Sequence, residues 1–253
     1  MPLSSTAIGA KAAKRLQDKG FVRFTLADMA SWINAACRLL VRVKPTLLTA
    51  NVAMLLKAGT KQTLSGATFK KTVDGSAITL TPLQILEAVR NLGAEGTEAL
   101  AGSPMTVIPR TTLDQVYPGW HSAPAQEEIV YLMFDAKDPE TFYVYPKATA
   151  SPAMYVELML ARLPVNTLLD EAAALGSGDL DAGIGAIYED VLVDAVCYQA
   201  YLVDAEQSPT SAQLATFHLK QVYEALGVKF KNEVGLAPKA LSTRPAAIEP
   251  GGQ

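Results

Sequence analysis

The sequence contains very few of the side chains that carry chemistry in enzymes. Its 253 residues include two histidines and two cysteines, which leaves little material for a nucleophile and a partner base. Cys37 and Cys197 are far apart, and each lies in an apolar stretch with helical spacing. A disulfide framework and a cysteine-ligated metal site are therefore excluded, and we expect both thiols to be buried.

The chain also lacks an excess of positive charge and a long apolar run. Its 22 basic residues are balanced by 25 acidic ones, giving a formal net charge of -3, whereas proteins that grip nucleic acid by neutralising phosphates are more basic. No stretch approaches the roughly 18 apolar residues of a membrane span. Residues 1–20 contain several charged residues in place of the apolar centre of a secretory signal. We expect a protein that stays in the cytoplasm after synthesis and has no membrane role.

Enough apolar material is present for a folded protein. Hydrophobic residues make up 49% of the chain and charged residues 19%, so intrinsic disorder is excluded for most of it. Apolar residues after Thr25 recur at helical spacing, and Asp28 three residues later predicts a capping box. This helix should end before Pro45. A shorter helix is predicted before it, from about residue 6 to 18, with a stop at Gly20.

Between residues 51 and 155 the pattern becomes strand-like. Short runs of Val, Ile, Thr and Tyr are interrupted by Gly, Pro and Asp-Gly, which is typical of β-structure. Asp74-Gly75-Ser76 can form the tight turn of a hairpin. The predicted elements are hairpin strands at 69–73 and 77–80, hairpin strands at 127–134 and 141–145 joined by a longer loop, a strand at 155–161, and one helical turn at 112–117.

After Pro164 the pattern is helical again. The expected buried face of the first long helix consists of Ile184, Ile187, Tyr188, Val191, Ala195, Tyr198 and Leu202. The next helix should begin after Ser208 and end at Gly227, and its expected face consists of Leu214, Phe217, Gln221 and Leu226. Residues 228–253 hold three prolines and few large hydrophobic residues, so they cannot form a core of their own.

These patterns predict an α+β fold. The N- and C-terminal helices should form a helical bundle, because each has an apolar stripe that needs cover. An antiparallel β-rich domain is inserted between them, and an extended C-terminal tail follows. The predicted boundaries are 1–48 for the N-terminal helices, 49–163 for the β-rich domain, 164–227 for the C-terminal helices and 228–253 for the tail.

The candidate sites for chemistry are weak. His218 lies on the last predicted helix, where a surface or packing role is expected, and His121 lies in a loop without a visible nucleophile partner. The glycines of 176–185 are not followed by the Lys-Ser/Thr of a phosphate-binding loop. The acidic residues from Asp179 to Asp194 do not form a calcium loop, and we interpret them as favouring a helix N-terminus and forming its solvated face. We predict no catalytic residues, no cofactor and no metal ion.

The second hairpin is rich in aromatic residues, namely Tyr131, Phe134, Phe142, Tyr143 and Tyr145. Successive residues of a strand point to opposite faces of the sheet, so one set must join the core. The other set forms either an exposed binding surface or a second buried face. The sequence leaves both possibilities open.

Several local motifs occur in an order and spacing that resemble an uncharacterised family of tailed-phage virion proteins, the head-to-tail adaptors that join portal to tail. The most specific motif runs from Phe134 to Pro146. The others lie at 32–36, continuing to Lys44-Pro45, and at 89–93, 117–121, 188–194 and 198–206. The resemblance covers about 25–227 and leaves 228–253 outside. It departs from the family pattern at Tyr117, where the family has an acidic residue, and at 68–81, which looks like an inserted hairpin.

The resemblance implies a structural protein that is not an enzyme. Adaptors of this kind form a homo-oligomeric ring, here of about twelve copies, that binds the portal protein and a tail nozzle or tail-tube protein. Double-stranded DNA passes through the ring without specific binding. Twelve copies at -3 each would carry about -36, a field that disfavours DNA adhesion. The protein is expected in the neck or tail of the virion, after assembly in the host cytoplasm.

Two sets of partner-binding residues follow from this resemblance. On the tail side, the aromatic hairpin would contribute Lys137, Tyr143 and Tyr145, while the helices face the portal. The C-terminal tail would bind the portal or a neighbouring subunit through Phe230, Lys231, Leu236, Lys239 and Arg244.

Two other classes of protein remain open. One is a hydrolase or lyase that acts on polysaccharides, with Asp135 and Asp138 as carboxylates and Tyr143 and Tyr145 stacking on sugars. The other is a stand-alone ligand-binding β module. Size in native solution or in the virion separates them, because a ring in a tail indicates the connector and a monomer that depolymerises glycans indicates the enzyme.

Overall fold

The computed structural model describes residues 4–98, 102–135, 137–164, 184–206 and 208–227. In these ranges the chain forms five α-helices and nine strands in two sheets, which confirms the mixed α+β class. The helices are α1 (Ser5–Arg15), α2 (Leu26–Val43), α3 (Arg110–Val116), α4 (Glu189–Val203) and α5 (Pro209–Ala225). The strands are β1 (Thr49–Leu55), β2 (Gly59–Thr63), β3 (Phe69–Lys71), β4 (Ala77–Ile78), β5 (Pro82–Gly93), β6 (Thr106–Val107), β7 (Tyr131–Asp135), β8 (Asp138–Ala148) and β9 (Tyr155–Arg162).

The two sheets pack face to face around one apolar core. The first has the strand order β4-β3-β1-β9-β5 and the second has the order β2-β8-β7-β6. Neighbouring strands are antiparallel except for β6, which runs parallel to β7. Alternate residues of the central strands point into this core, as a period of two requires. They include Val52, Met54, Leu132, Phe142, Val144, Val156, Leu158 and Leu160.

Helices α1, α2 and α4 contact one another, and α5 packs along α4. Their buried side chains form a second core, which includes Ile8, Ala12, Ile33, Leu40, Leu192, Val196 and Val222. The predicted capping box at the start of α2 is confirmed. The backbone N–H of Asp28 donates to the Thr25 hydroxyl at 3.2 Å, and the Thr25 N–H donates to the Asp28 carboxylate at 2.9 Å.

The buried faces predicted for α4 and α5 are partly wrong. Ile187 and Leu202 are 84% and 47% exposed, whereas Leu192 and Val196 are fully buried. Because α4 has helical neighbours on three sides, its burial extends around the helix beyond a single stripe. Phe217 of α5 is 53% exposed, since α5 packs mainly against α4.

The first predicted hairpin is confirmed. Strands β3 and β4 pair antiparallel, and Gly75 has a φ of +68° in the turn between them, a conformation that glycine adopts without strain. The second hairpin pairs as predicted, but β8 begins at Asp138, so the connection is shorter than expected. Strand β7 begins at Tyr131, later than the predicted residue 127.

The outer edge of β5 is partly covered by the segment that follows it. The N–H of Asn91 donates to the carbonyl of Ser103 at 3.0 Å, and Met105 donates to Val89 at 3.3 Å. The Asn91 side chain also bridges to the segment before β7, because its amide accepts from the Ile129 N–H and donates to the Ile129 carbonyl, both at 2.9 Å. The two sheets are therefore joined by polar contacts at this edge.

The predicted C-terminal tail (228–253) and most of the glycine-rich segment (176–183) lie outside the described residues. Where the chain is described, its helices are too short or too polar to cross a bilayer.

Candidate partner-binding site

A cleft of about 550 Å³ opens beside the β6 end of the second sheet. One wall comes from the end of β6 and the start of α3, and the other comes from the end of the β7–β8 hairpin. The residues that give the cleft its character are Val107, Pro109, Arg110, Phe134, Asp135, Asp138 and Tyr143. It therefore has an apolar and aromatic floor with two carboxylates at the hairpin end.

Four side chains, two of which line the cleft, form a closed circuit of contacts. Trp120 Nε1 donates to Asp114 Oδ1 at 2.8 Å, and Asp114 Oδ2 lies 3.5 Å from Arg110 Nε. The Arg110 guanidinium lies 5.5 Å from the centre of the Tyr143 ring, and that ring meets Trp120 edge-on at 6.0 Å. Trp120 is fully buried, so it anchors the circuit. Among these four residues, Asp114 and Arg110 carry no signal in the sequence that marks them.

The outward face of the second sheet carries a row of tyrosines. The rings of Tyr131 and Tyr145 stack at 6.1 Å, and Tyr117 meets Tyr145 edge-on at 6.2 Å. Val116 and Val130 beside this row are 79% and 43% exposed. The opposite face carries Phe142 and Val144, which are fully buried in the core between the sheets. The sequence left open whether this outer face is an exposed binding surface or a second buried face. In the structure it is partly covered and partly exposed.

The predicted tail-side residues lie at two places on this sheet. Tyr143 is half-buried in the cleft, and Tyr145 is half-buried in the tyrosine row. Lys137 is exposed at the end of the hairpin, where its backbone N–H donates to Asp135 Oδ1 at 3.0 Å. The other predicted partner-binding residues lie outside the described residues, namely Phe230, Lys231, Leu236, Lys239 and Arg244.

Each histidine has a packing partner and a polar partner. His121 stacks on Trp120 at 3.6 Å, and its Nδ1 lies 3.0 Å from the Thr60 hydroxyl of β2. His218 Nδ1 lies 2.9 Å from Asp194 Oδ1, and its ring stacks on Tyr201 at 5.6 Å. The expectation of a packing role for His218 agrees with these contacts.

Acidic residues of α4 form ion pairs with basic residues of α1, and Glu189 and Asp190 lie in the first turn of α4, as predicted for residues that favour a helix N-terminus. Lys11 Nζ lies 2.9 Å from Glu189, and Arg15 lies 2.5 Å from Asp194 and 3.7 Å from Asp190. These pairs are partly exposed, and each contributes at most about 1 kcal/mol. They add charge contacts to the apolar packing of α1 on α4.

The pKa values of Asp18 and Cys197 are shifted for clear reasons. Asp18 accepts hydrogen bonds from the backbone N–H groups of Phe24, Val22 and Arg23 at 2.8–3.0 Å, and the bond from Phe24 is the main cause of its lowered pKa. Burial raises the pKa of Cys197 to about 12, so its thiol stays protonated and unreactive. Cys37 and Cys197 are both buried, as predicted.

A metal centre has no support in the described residues. Among them, no group of three or more His, Cys, Asp or Glu side chains could hold an ion. Asp179 and Asp181, two of the acidic residues considered from the sequence, lie outside the described ranges.

The structure thus presents a mixed α+β protein whose second sheet offers an aromatic cleft and a partly exposed tyrosine row, surfaces typical of proteins that bind other proteins. The model of the SU10 adaptor protein family matches residues 5–244. The chain belongs to this family, so it is a phage adaptor protein and a virion component, and the resemblance to head-to-tail adaptors is confirmed. No curated protein matches the chain. Because the match extends to residue 244, the expectation that everything after Gly227 lies outside the resemblance was wrong for residues 228–244.

Proposed function

We propose that this chain is the head-to-tail adaptor of a tailed phage and forms a ring of about twelve copies between the portal protein and a tail nozzle or tail-tube protein. The observation that carries the proposal is the family match over residues 5–244. In a closed ring of identical subunits, one surface of each copy contacts a different surface of the next. A subunit with several distinct contact surfaces suits that task.

The two cores of the chain suggest how these surfaces are divided. The helices share one apolar core and the sheets share another. We propose that the helices of 1–48 and 164–227 form a bundle that faces the portal. The β-rich domain of 49–163 would then meet the tail protein, with Lys137, Tyr143 and Tyr145 at the contact.

We propose that the C-terminal segment (residues 228–253) leaves its own subunit to bind the portal or a neighbouring adaptor. Phe230 and Leu236 would be its apolar anchors, and Lys231, Lys239 and Arg244 would meet acidic residues. Deletion from Asn232 onward should leave thermal unfolding of the folded part unchanged but weaken attachment to the portal. Unaltered attachment to the portal together with unaltered ring formation would contradict this proposal.

Passage of DNA through the ring needs a wall that does not hold phosphates. About twelve copies at -3 each give about -36, which supports passage without specific binding. This argument requires that part of the acidic side chains face the channel, so a channel lined mainly by basic residues would contradict it.

One observation favours the polysaccharide alternative, since Asp135 and Asp138 line the same cleft as Tyr143. Both aspartates are exposed, whereas the general acid of a glycosidase is commonly kept protonated by an apolar site. We therefore propose a role without catalysis, and incubation with capsular or cell-wall glycans tests it directly.

The decisive experiment mixes the purified full-length chain with the portal protein and images the product by electron microscopy. A ring seated on the portal is expected. A monomer that does not bind the portal protein and cleaves glycans would refute the adaptor role.

A matched pair of variants tests whether the helices face the portal. Phe217→Asp alters a residue of α5 that is 53% exposed, and Val73→Asp alters one of the β3–β4 turn that is 81% exposed. Both should fold normally, since neither residue is buried. The first should weaken portal binding and the second should not. The reverse result would place the portal on the β-rich side.

A further inference from the structure

The cleft beside β6 has the character of a groove for an extended, proline-containing peptide. Phe134 and Tyr143 supply aromatic surface, and Val107 and Pro109 supply apolar surface. Grooves lined by aromatic side chains hold proline-rich segments, because such segments are already extended and lose little entropy on binding. Val107 is 45% exposed, so the floor is open to a ligand.

Charge at the hairpin end of the cleft favours a basic ligand. Asp135 and Asp138 are both exposed and both line the cleft. Arg110, the basic residue of the opposite wall, is already engaged by Asp114 and by the Tyr143 ring. From Asp135 to Glu140 the chain has three acidic residues and one basic residue, Lys137. A lysine or arginine of the ligand would complement this end.

The chain itself contains a segment of matching chemistry. The C-terminal segment, residues 228–253, has four basic residues against two acidic ones, with prolines at 238, 245 and 250. Arg244 directly precedes Pro245, so one basic side chain lies beside one proline ring. The residue before a proline favours an extended backbone, which suits a groove of this kind.

We propose that the C-terminal segment of one copy occupies the cleft of a neighbouring copy. In this arrangement Arg244 meets Asp135 and Asp138, and Pro245 packs on Tyr143. The proposal rests on the ring proposed above, since the ring brings copies side by side. It refines the role of Tyr143, which binds the segment, while Lys137 and Tyr145 stay free for the tail protein.

The length of the segment is sufficient. Arg244 lies seventeen positions after Gly227, and an extended chain spans about 3.3 Å per residue, or roughly 55 Å in total. A domain of about 230 residues has a radius of gyration of about 17 Å. The segment can therefore cross from the end of α5 to a cleft on an adjacent subunit.

Cross-linking between full-length variants tests the contact. Thr111→Cys places a thiol on an exposed residue that lines the cleft, and Ala246→Cys places one beside Pro245. The native thiols of Cys37 and Cys197 are buried and do not compete. Mixing the two variants under oxidation should give a disulfide-linked pair of chains. Thr112→Cys is the matched control, because Thr112 is exposed on the same helix but does not line the cleft.

A second pair of variants tests whether the apolar surface of the cleft is needed for the contact. Val107→Asp obstructs the apolar floor, and Val73→Asp introduces the same change at an exposed valine elsewhere. Each change is added to the chain that carries Thr111→Cys. Val107→Asp should abolish the cross-link, and Val73→Asp should preserve it. Asp138→Lys should weaken it up to about fivefold, the range of one exposed ion pair, and Arg244→Glu in the other chain should restore it.

The outcomes separate this inference from the proposed function. If rings form on the portal but Thr111→Cys and Ala246→Cys do not link, the inference is wrong and the adaptor role stands. A chain that carries both Thr111→Cys and Ala246→Cys also tests it, because a link formed only within one such chain, at a concentration where copies are separate, overturns the inference. A link from Ala246→Cys to the portal alone assigns the segment to the portal and overturns it too.

Discussion

The closed circuit of Trp120, Asp114, Arg110 and Tyr143 predicts that substitutions at Trp120 destabilise the fold in proportion to the contacts they remove. Trp120 is fully buried, and its Nε1 donates to Asp114 at 2.8 Å. Trp120→Ala removes the whole ring and leaves a cavity, at a cost of about 3–5 kcal/mol in the free energy of unfolding. Trp120→Phe keeps most of the ring but loses the hydrogen bond and some volume. The hydrogen bond contributes about 0.5–1.5 kcal/mol and the lost ring volume adds to it, so Trp120→Phe should lower the free energy of unfolding by about 2 kcal/mol.

The matched variant on the acceptor side is Asp114→Asn. The amide oxygen of asparagine can still accept the hydrogen bond from Trp120, so this variant removes only the ion pair with Arg110. Arg110 is exposed and Asp114 is partly exposed, and the two lie four residues apart on one helix. Such pairs contribute about 0.3–0.5 kcal/mol, so the expected order of cost is Asp114→Asn, Trp120→Phe, Trp120→Ala.

Urea denaturation followed by circular dichroism is the suitable assay, because Trp120 is one of two tryptophans and its removal would change the fluorescence signal itself. A cost below about 1 kcal/mol for Trp120→Ala would refute the view that Trp120 anchors the circuit. Equal costs for Asp114→Asn and Trp120→Phe would show that the ion pair with Arg110 contributes as much as the hydrogen bond and the lost ring volume together, which would contradict the expected order.

Three further predictions concern the helices. Val191→Asp should cost several kcal/mol because it buries an unpaired charge in the helical core. Ile187→Asp, at a position 84% exposed, should leave the melting temperature unchanged. Equal melting temperatures of the two variants would contradict the assigned burial. Thr25→Ala should cost about 1 kcal/mol in denaturant unfolding, since the Asp28 N–H loses its acceptor. The Phe24 N–H helps to lower the pKa of Asp18 below its ordinary 3.8, so this contribution to stability is complete above 3.8 and lost as the pH falls through the lowered value. Asp18→Asn should therefore flatten the change in stability between about pH 7 and about pH 3, and an unchanged acid profile would show that the Asp18 carboxylate is not responsible.

Elements governed by a single local signal could be predicted from the sequence. Thr25 and Asp28 marked the start of α2, because the capping box needs only a hydroxyl and a carboxylate three residues apart. Gly75 and Gly227 marked a turn and a helix end, and both adopt the positive φ that such positions favour. In these cases the deciding interaction lies within a few residues of the chain.

Strand β5 could not be predicted in the same way. Its register against β9 shifts at four points, so its apolar residues do not alternate with the period of a regular strand. The closed circuit could not be predicted either, because it depends on which face of α3 lies on the β7–β8 hairpin. The contact between His121 and Thr60 spans 61 residues of sequence, and no local pattern encodes a pairing at that distance.

The hydrogen bonds of the Asn91 amide affect how easily the chain could aggregate through its sheet edges. By pairing with both backbone groups of Ile129, it occupies positions that an intruding strand would otherwise use. Strands β4 and β6, which end their sheets, are only two residues long. Short or covered edges resist the edge-to-edge polymerisation that leads to amyloid-like aggregates. At these edges, separate copies of the chain therefore have little opportunity to join their sheets.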